Sequence, residues 1–304
     1  MKARPLSSTA PLSLMAPLRG VVADYIALTK PKIILLLLVT ALGSMFLAAR
    51  GAPALTTAVL VMVGGTLGAG GANALNHYLD RDVDQRMART RRRPIPSNRI
   101  EPRQALLFGV LLNLLAFGVL ASWVNLLSAL LTLSATLFYV FVYTQWLKRS
   151  TVQNIVIGGA AGAVPPMVGW VAVTGELGLP AIYLFAIVFF WTPPHFWALA
   201  LLIRRDYEDA GIPMLPVVRG VQETARSIIL HATTMFAVTI LFFTLDEVGW
   251  IYFGGALALG SIFLGLALRL LRRGTHEAAL ALYLYSLLYL TMLFVIIAID
   301  GSVG

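Results

Sequence analysis

Cysteine is absent from this 304-residue chain, which excludes disulfides, thiolate nucleophiles and thiolate-bound metals. Charge is scarce as well. Asp, Glu, Lys and Arg supply 12% of the residues, against roughly 25% in soluble proteins, too little to wet the surface of a soluble domain of this size. Hydrophobic residues instead make up 59%, and the mean hydropathy is +0.82. They fall in runs of about 20, the length a helix needs to cross a hydrocarbon core of about 30 Å. No uninterrupted apolar core of signal-peptide type precedes the first long run. Residues 1–27, rich in Pro, Ser and Ala, read as a cytoplasmic tail, with a cleaved targeting peptide as the alternative.

Nine spans are expected, at 32–49, 55–79, 104–122, 124–146, 154–173, 181–203, 227–245, 249–271 and 278–299. This threading places 22 of the 23 basic residues on one side and leaves only Arg50 on the other. The positive-inside rule then puts the N-terminus and the long loops in the cytoplasm, and the C-terminus outside. The net charge of +9 reflects that topology and attraction to anionic lipid and substrate; no nucleic-acid partner is expected. Spans two and six share an orientation, and each runs into a cluster of acids and bases. The expected fold is an all-α integral membrane protein, a single domain over 28–304, with a parallel repeat of four plus four helices and a ninth added.

The strongest motif is Asn76-His-Tyr-Leu-Asp80-Arg-Asp-Val-Asp84. Steps of four keep Asn76, Asp80 and Asp84 on one face of a helix. Three oxygen ligands in line suit a hard cation, Mg²⁺ above all, which typically takes one or two carboxylates with waters and substrate phosphates. A plain polar cap is the alternative, but negative charge at a helix C-terminus opposes the macrodipole and needs compensation. Asp82 points away, toward solvent or a neighbouring Arg. Arg89-Thr-Arg-Arg-Arg93 follows directly, and Arg forks beside carboxylates fit a metal-bridged diphosphate. If the helix continues to Pro94, Arg89 and Arg93 share a face.

A second cluster, Arg204-Arg205-Asp206-Tyr-Glu-Asp209, holds the matching place in the other half. Joined to the first, Asp206 and Asp209 would complete a two-metal clamp; surface charge is the alternative. Lys148 and Arg149 end span four as a further phosphate anchor or as a snorkelling interfacial pair. His195, within Trp191-Thr-Pro-Pro-His195-Phe-Trp197, sits at membrane depth, where an ionisable group needs a partner. It either positions an acceptor or bonds carbonyls freed by Pro193 and Pro194. His77, His231 and His276 read as structural.

These motifs resemble the UbiA-type superfamily of intramembrane prenyltransferases, and within it the protohaem IX farnesyltransferase (haem O synthase) family. The likeness rests on Asn76-x-x-x-Asp80-x-Asp82-x-Asp84, Met87-x-Arg89-Thr90-x-x-Arg93, Tyr143-Thr-x-Trp-Leu-Lys-Arg149, Pro165-Pro166, Pro194-His195, Asp206-Tyr207 and Ile212-Pro-Met-Leu-Pro216. It runs from about Leu28 to the ninth span. One departure stands out: the superfamily's second motif spaces its acids four apart, whereas Asp206 plus four is Ala210. That makes Asp209 a less secure ligand than Asp206.

The resemblance implies nine helices around a central cavity, in a bacterial inner membrane, with the active site toward the cytoplasm. It implies Mg²⁺, with farnesyl diphosphate and haem b as substrates and haem O as product. Haem A synthase or terminal-oxidase assembly proteins are the implied partners. In this reading Asn76, Asp80, Asp84, Asp206 and Asp209 hold metal, Arg89, Arg93, Lys148 and Arg149 bind diphosphate, and His195 places haem. A phenolic or other tetrapyrrole acceptor is the nearest rival. A transporter is the rival from another class, although transporters hold their acids near the midplane.

Overall fold

The computed structural model describes the backbone over residues 15–303 and side chains from residue 20 onward. The first part of the expected tail, with Lys2 and Arg4, and the side chain of Arg19 lie outside the described residues. The later part of that tail is helical: α1 spans Met15–Thr29. Among the described residues, nine helices are long and apolar enough to cross a membrane. They are α2 (Pro31–Ala49), α3 (Leu55–Leu79), α5 (Pro102–Trp123), α6 (Leu126–Ser150), α7 (Asn154–Thr174), α8 (Leu179–Leu202), α11 (Gly220–Leu245), α12 (Trp250–Arg273) and α13 (His276–Val303). Short helices α4 (Arg81–Arg86), α9 (Arg204–Asp209) and α10 (Leu215–Val218) fill the two long connections.

Composition explains which faces turn outward. Leu107, Leu114, Leu126 and Leu230 are each more than half exposed, as lipid-facing side chains are. Trp123, Trp146 and Trp250, exposed near span ends, occupy the interfacial positions that amphipathic indoles favour. The chain is therefore a multi-pass membrane protein.

Small residues set the helix spacing inside. A Cβ on Gly71 of α3 would stand 2.7 Å from the Gly109 carbonyl oxygen of α5, and one on Gly109 would stand 3.0 Å from the Gly71 oxygen. The two backbones touch through glycine, the way tight pairs form in membranes. Gly169 of α7 does the same against Ala41 of α2.

The halves of the chain echo one another. Each first helix packs on the other, α2 on α7. The second helix of each half, α3 and α8, ends in a single non-helical residue, Asp80 or Ile203, followed by a six-residue helix, α4 or α9. The added helix, α13, packs on α2, α8 and α12. Its buried Asp300 caps α12, accepting hydrogen bonds from the backbone amides of Gly249 at 2.5 Å and Tyr252 at 3.0 Å.

Two features depart from the regular pattern. Residues 138–147 of α6 are wound as a π-helix, a form that concentrates at functional sites. Helix α11 starts at Gly220, a full two turns before the expected 227, because Glu223 and Arg226 occupy its first turns.

Gly71→Leu should push α3 off α5 and cost about 1–3 kcal/mol from overpacking, read as a lower Tm in detergent. An unchanged Tm would mean that the two helices do not meet through these glycines.

Candidate active site

The site forms where α3 leaves its span, because α3 carries Asn76 on its last turn and Asp80 at its end. The helical register survives the break at Asp80: its amide bonds the Asn76 carbonyl, and the Asp84 amide bonds the Asp80 carbonyl, each at 2.8 Å. Asn76, Asp80 and Asp84 are all nearly fully buried. Two carboxylates out of water at a membrane edge need cations, since an unpaired buried charge costs several kcal/mol.

Three segments supply those cations. Lys148, from the end of α6, donates to Asp80 Oδ2 at 2.5 Å. Asn76 Nδ2 donates to the same oxygen at 2.8 Å and lies 3.1 Å from Thr144 Oγ1. Lys30, between α1 and α2, donates to Asn76 Oδ1 at 2.8 Å. Arg93, from the loop after α4, reaches both oxygens of Asp84 at 2.9 Å. Arg149 forks onto Asp82 with two bonds of 2.8 Å and also takes the Leu79 carbonyl. That fork holds the Asp82 carboxyl down to about 2.

Lys30 is the residue the motifs did not reveal. Its backbone is left-handed, with φ of 55°, a strained conformation for a lysine of the kind that clusters at functional sites. Burial pushes its ammonium down to about 7, the charges of Arg93 and Lys148 push the same way, and Asp80 and Asp84 oppose them. Its signal was faint: one lysine before Pro31, indistinguishable in sequence from a topology charge.

One oxygen stays unsatisfied. Asp80 Oδ1 is buried without a hydrogen bond among the described residues, with Arg149 Nη2 3.7 Å away. An orphaned carboxylate oxygen beside an amide and a second carboxylate is the donor set a hard cation takes. The residues present fit Mg²⁺. Both ring nitrogens of His77, expected to be structural, are likewise buried and unpartnered among the described residues.

The remaining expectations fare unevenly. The helix does not continue to Pro94: α4 stops at Arg86, so Arg89 and Arg93 share no helical face. Arg89 is exposed, while Arg93 folds back on Asp84 because Thr90 turns the chain, bonding the Asp84 carbonyl at 2.9 Å. No three carboxylates or imidazoles converge among the described residues, so the two acidic clusters do not merge into one three-acid site. The buried face of α9 runs through Tyr207 and Ala210, which leaves Asp209 exposed and Asp206 half-buried at a pocket of about 370 Å³ lined by Leu201–Asp206. Tyr207 itself turns inward. Burial pushes its phenol up to about 12, and the charges of Arg89, Arg93, Asp206 and Asp80 all act on it. Its signal was the Asp-Tyr step, read only for the acid.

His195 faces α13. Its Nδ1 lies 2.6 Å from Ser286 Oγ, and its ring stacks on Trp191 at 4.3 Å and on Tyr283 at 5.2 Å. That nitrogen does not serve the carbonyls freed by Pro193 and Pro194.

The profile of the UbiA prenyltransferase family matches residues 37–295. The chain belongs to that family. Proteins named protoheme IX farnesyltransferase are similar over most of it: one from Gloeobacter violaceus is 51% identical over 91% of this chain and 92% of its own. One from Symbiobacterium thermophilum is 51% identical over 92% of this chain and 94% of its own. One from Roseiflexus sp. strain RS-1 is 53% identical over 92% of this chain, but the chain spans only 52% of that longer relative. Among solved structures, a digeranylgeranylglyceryl phosphate synthase superposes with a TM-score of 0.77 at 16% identity, covering 93% of this chain and 99% of that one. A UbiA homologue from Archaeoglobus fulgidus, bound to GPP and Mg²⁺, gives 0.66 at 17% identity over 90% and 99%. These last two are likenesses of fold.

Arg93→Gln should leave Asp84 buried without a cation. A loss of about 3 kcal/mol is expected in metal-free detergent, the low end for a broken buried pair because Arg93 is partly exposed. A Tm equal to that of the unsubstituted protein would show that the pair does not form.

Proposed function

We propose that the chain transfers a farnesyl group from farnesyl diphosphate to a vinyl group of haem b, giving haem O. The observation that carries this is the buried acid–amide face of Asn76, Asp80 and Asp84 ringed by Lys30, Arg93, Lys148 and Arg149. Relatives at about half identity named for that activity support the choice of donor and acceptor.

Asn76, Asp80 and Asp84 would hold Mg²⁺, Asp206, which does not converge with them, would hold a separate ion, and Asp209 stands exposed. When bound, Mg²⁺ would neutralise diphosphate charge and make it a better leaving group. Arg89, Arg93, Lys148 and Arg149 would take diphosphate oxygens, stabilising the negative charge that develops as the allylic C–O bond breaks. The electron pair of that bond leaves with diphosphate. The vinyl π electrons then form the new C–C bond, and water adds to the resulting cation and loses a proton, leaving the hydroxyethyl-farnesyl group.

An allylic cation must meet the vinyl group before it meets water, so the site has to be dry. Tyr139 and Tyr143 of α6 stack at 5.5 Å, close enough to Asp80 and Tyr207 for both to act on them electrostatically. Their π faces would steady a nearby cation while excluding solvent. The π-winding of α6 serves this arrangement, carrying both tyrosines, Thr144 and Lys148 to one place. His195 would place the haem. The basic loops orient the site to the cytoplasmic face of a bacterial inner membrane.

Chromatography and mass spectrometry of haem extracted after incubation with haem b, farnesyl diphosphate and Mg²⁺ tests the reading. A heavier, more apolar haem is expected, and Asp80→Asn should lower its formation by at least about 100-fold, in line with the loss of metal-based charge stabilisation. A prenylated phenol in place of a haem product would move the acceptor to the phenolic branch. Full turnover in Asp80→Asn would remove the metal face.

A further inference from the structure

Ser286, on α13, holds His195 and Trp191 of α8 at once. The Trp191 indole donates to the Ser286 carbonyl at 2.9 Å, while the Ser286 hydroxyl lies 2.6 Å from His195 Nδ1. That hydroxyl has a single proton, and it is already given to the Tyr283 carbonyl at 2.6 Å. A carbonyl can only accept, so toward His195 the Ser286 oxygen must accept too. Nδ1 therefore carries the imidazole proton, and Nε2 of the neutral ring keeps its lone pair.

The ring has little freedom to do otherwise. It lies between the faces of Trp191, at an interplanar angle of 15°, and Tyr283, at 29°, and Ser286 is fully buried. Nε2 makes no hydrogen bond among the described residues. A buried hydroxyl thus fixes one nitrogen as a donor and leaves the other with an unshared lone pair, the pattern by which a second ligand shell orients a metal-binding imidazole.

We infer that Ser286 is a positioning residue that locks His195 in its Nδ1–H form so that Nε2 ligates the iron of the haem acceptor. This rests on the proposed haem substrate. Iron ligation anchors the porphyrin at one point, and the Trp191–Tyr283 sandwich fixes the direction from which it is held. Nothing is oxidised or transferred; the lone pair of Nε2 forms a coordinate bond to iron.

The test titrates ferric haem b into purified protein in nanodiscs, following the Soret band and electron paramagnetic resonance. The affinity for farnesyl thiodiphosphate is measured in parallel. The unsubstituted protein should show nitrogen-ligated iron. His195→Ala should lose that signature and regain it with added imidazole. Ser286→Ala should weaken haem binding about tenfold or more, the usual effect of removing an outer-shell partner, with farnesyl thiodiphosphate affinity unchanged. Ser286→Thr keeps the hydroxyl and should restore haem affinity. Unaltered iron ligation in His195→Ala overturns the inference and leaves the haem reading standing. So does a Ser286→Ala protein that matches the unsubstituted one in affinity and spectrum. Failure of the unsubstituted protein to bind haem, while it still binds farnesyl thiodiphosphate, overturns both.

Discussion

Two carboxylates buried where a helix leaves the membrane are the constraint on which the site is built. Asp80 and Asp84 sit almost wholly out of solvent, where each needs a cation at hydrogen-bonding distance to stay ionised at tolerable cost. That demand draws together the α1–α2 junction through Lys30, the end of α6 through Lys148 and Arg149, and the loop after α4 through Arg93. The protein supplies enough positive charge to hold the acids, yet leaves Asp80 Oδ1 unsatisfied. Such a site is held together by its own cations and still presents one unsatisfied carboxylate oxygen to a further one.

The two halves use one framework for different ends. Both second helices break at one residue and resume as a six-residue helix, but the first presents buried acid and the second presents Tyr207. A clamp of two acidic ends would concentrate negative charge. An acid end facing a phenol and half-buried Asp206 instead leaves room for arginines and for aromatic walls around a cation. Farther into the membrane, α8 turns His195 toward α13, so the helix outside the repeat pairs with the second helix of the second half.

Much of the fold was legible because hydropathy reports directly on what lipid requires. Runs of about 20 apolar residues marked every span, and the start of α11 was the bound furthest off, since Glu223 and Arg226 conceal its first turns. The acids were legible for a similar reason: Asp80 and Asp84 are anomalous at a helix C-terminus. Other features depend on tertiary placement and leave little trace in a single chain. Lys30 looks like a topology charge, His77 like any histidine, and the end of α4 at Arg86 undoes a helical register that Arg89 and Arg93 permit. The π-winding of α6 and the pairing of His195 with Ser286, 91 positions apart, have no local signal at all.

The central claim is that the Asn76–Asp80–Asp84 face binds metal and diphosphate as one unit. Isothermal titration of farnesyl thiodiphosphate into the detergent-solubilised protein, with and without Mg²⁺, tests it most directly. The account predicts that Mg²⁺ tightens binding at least about tenfold, a coupling of about 1.4 kcal/mol, and that Asp80→Asn abolishes the coupling while Mg²⁺-free binding survives. Equal affinity with and without Mg²⁺ in the unsubstituted protein would contradict it.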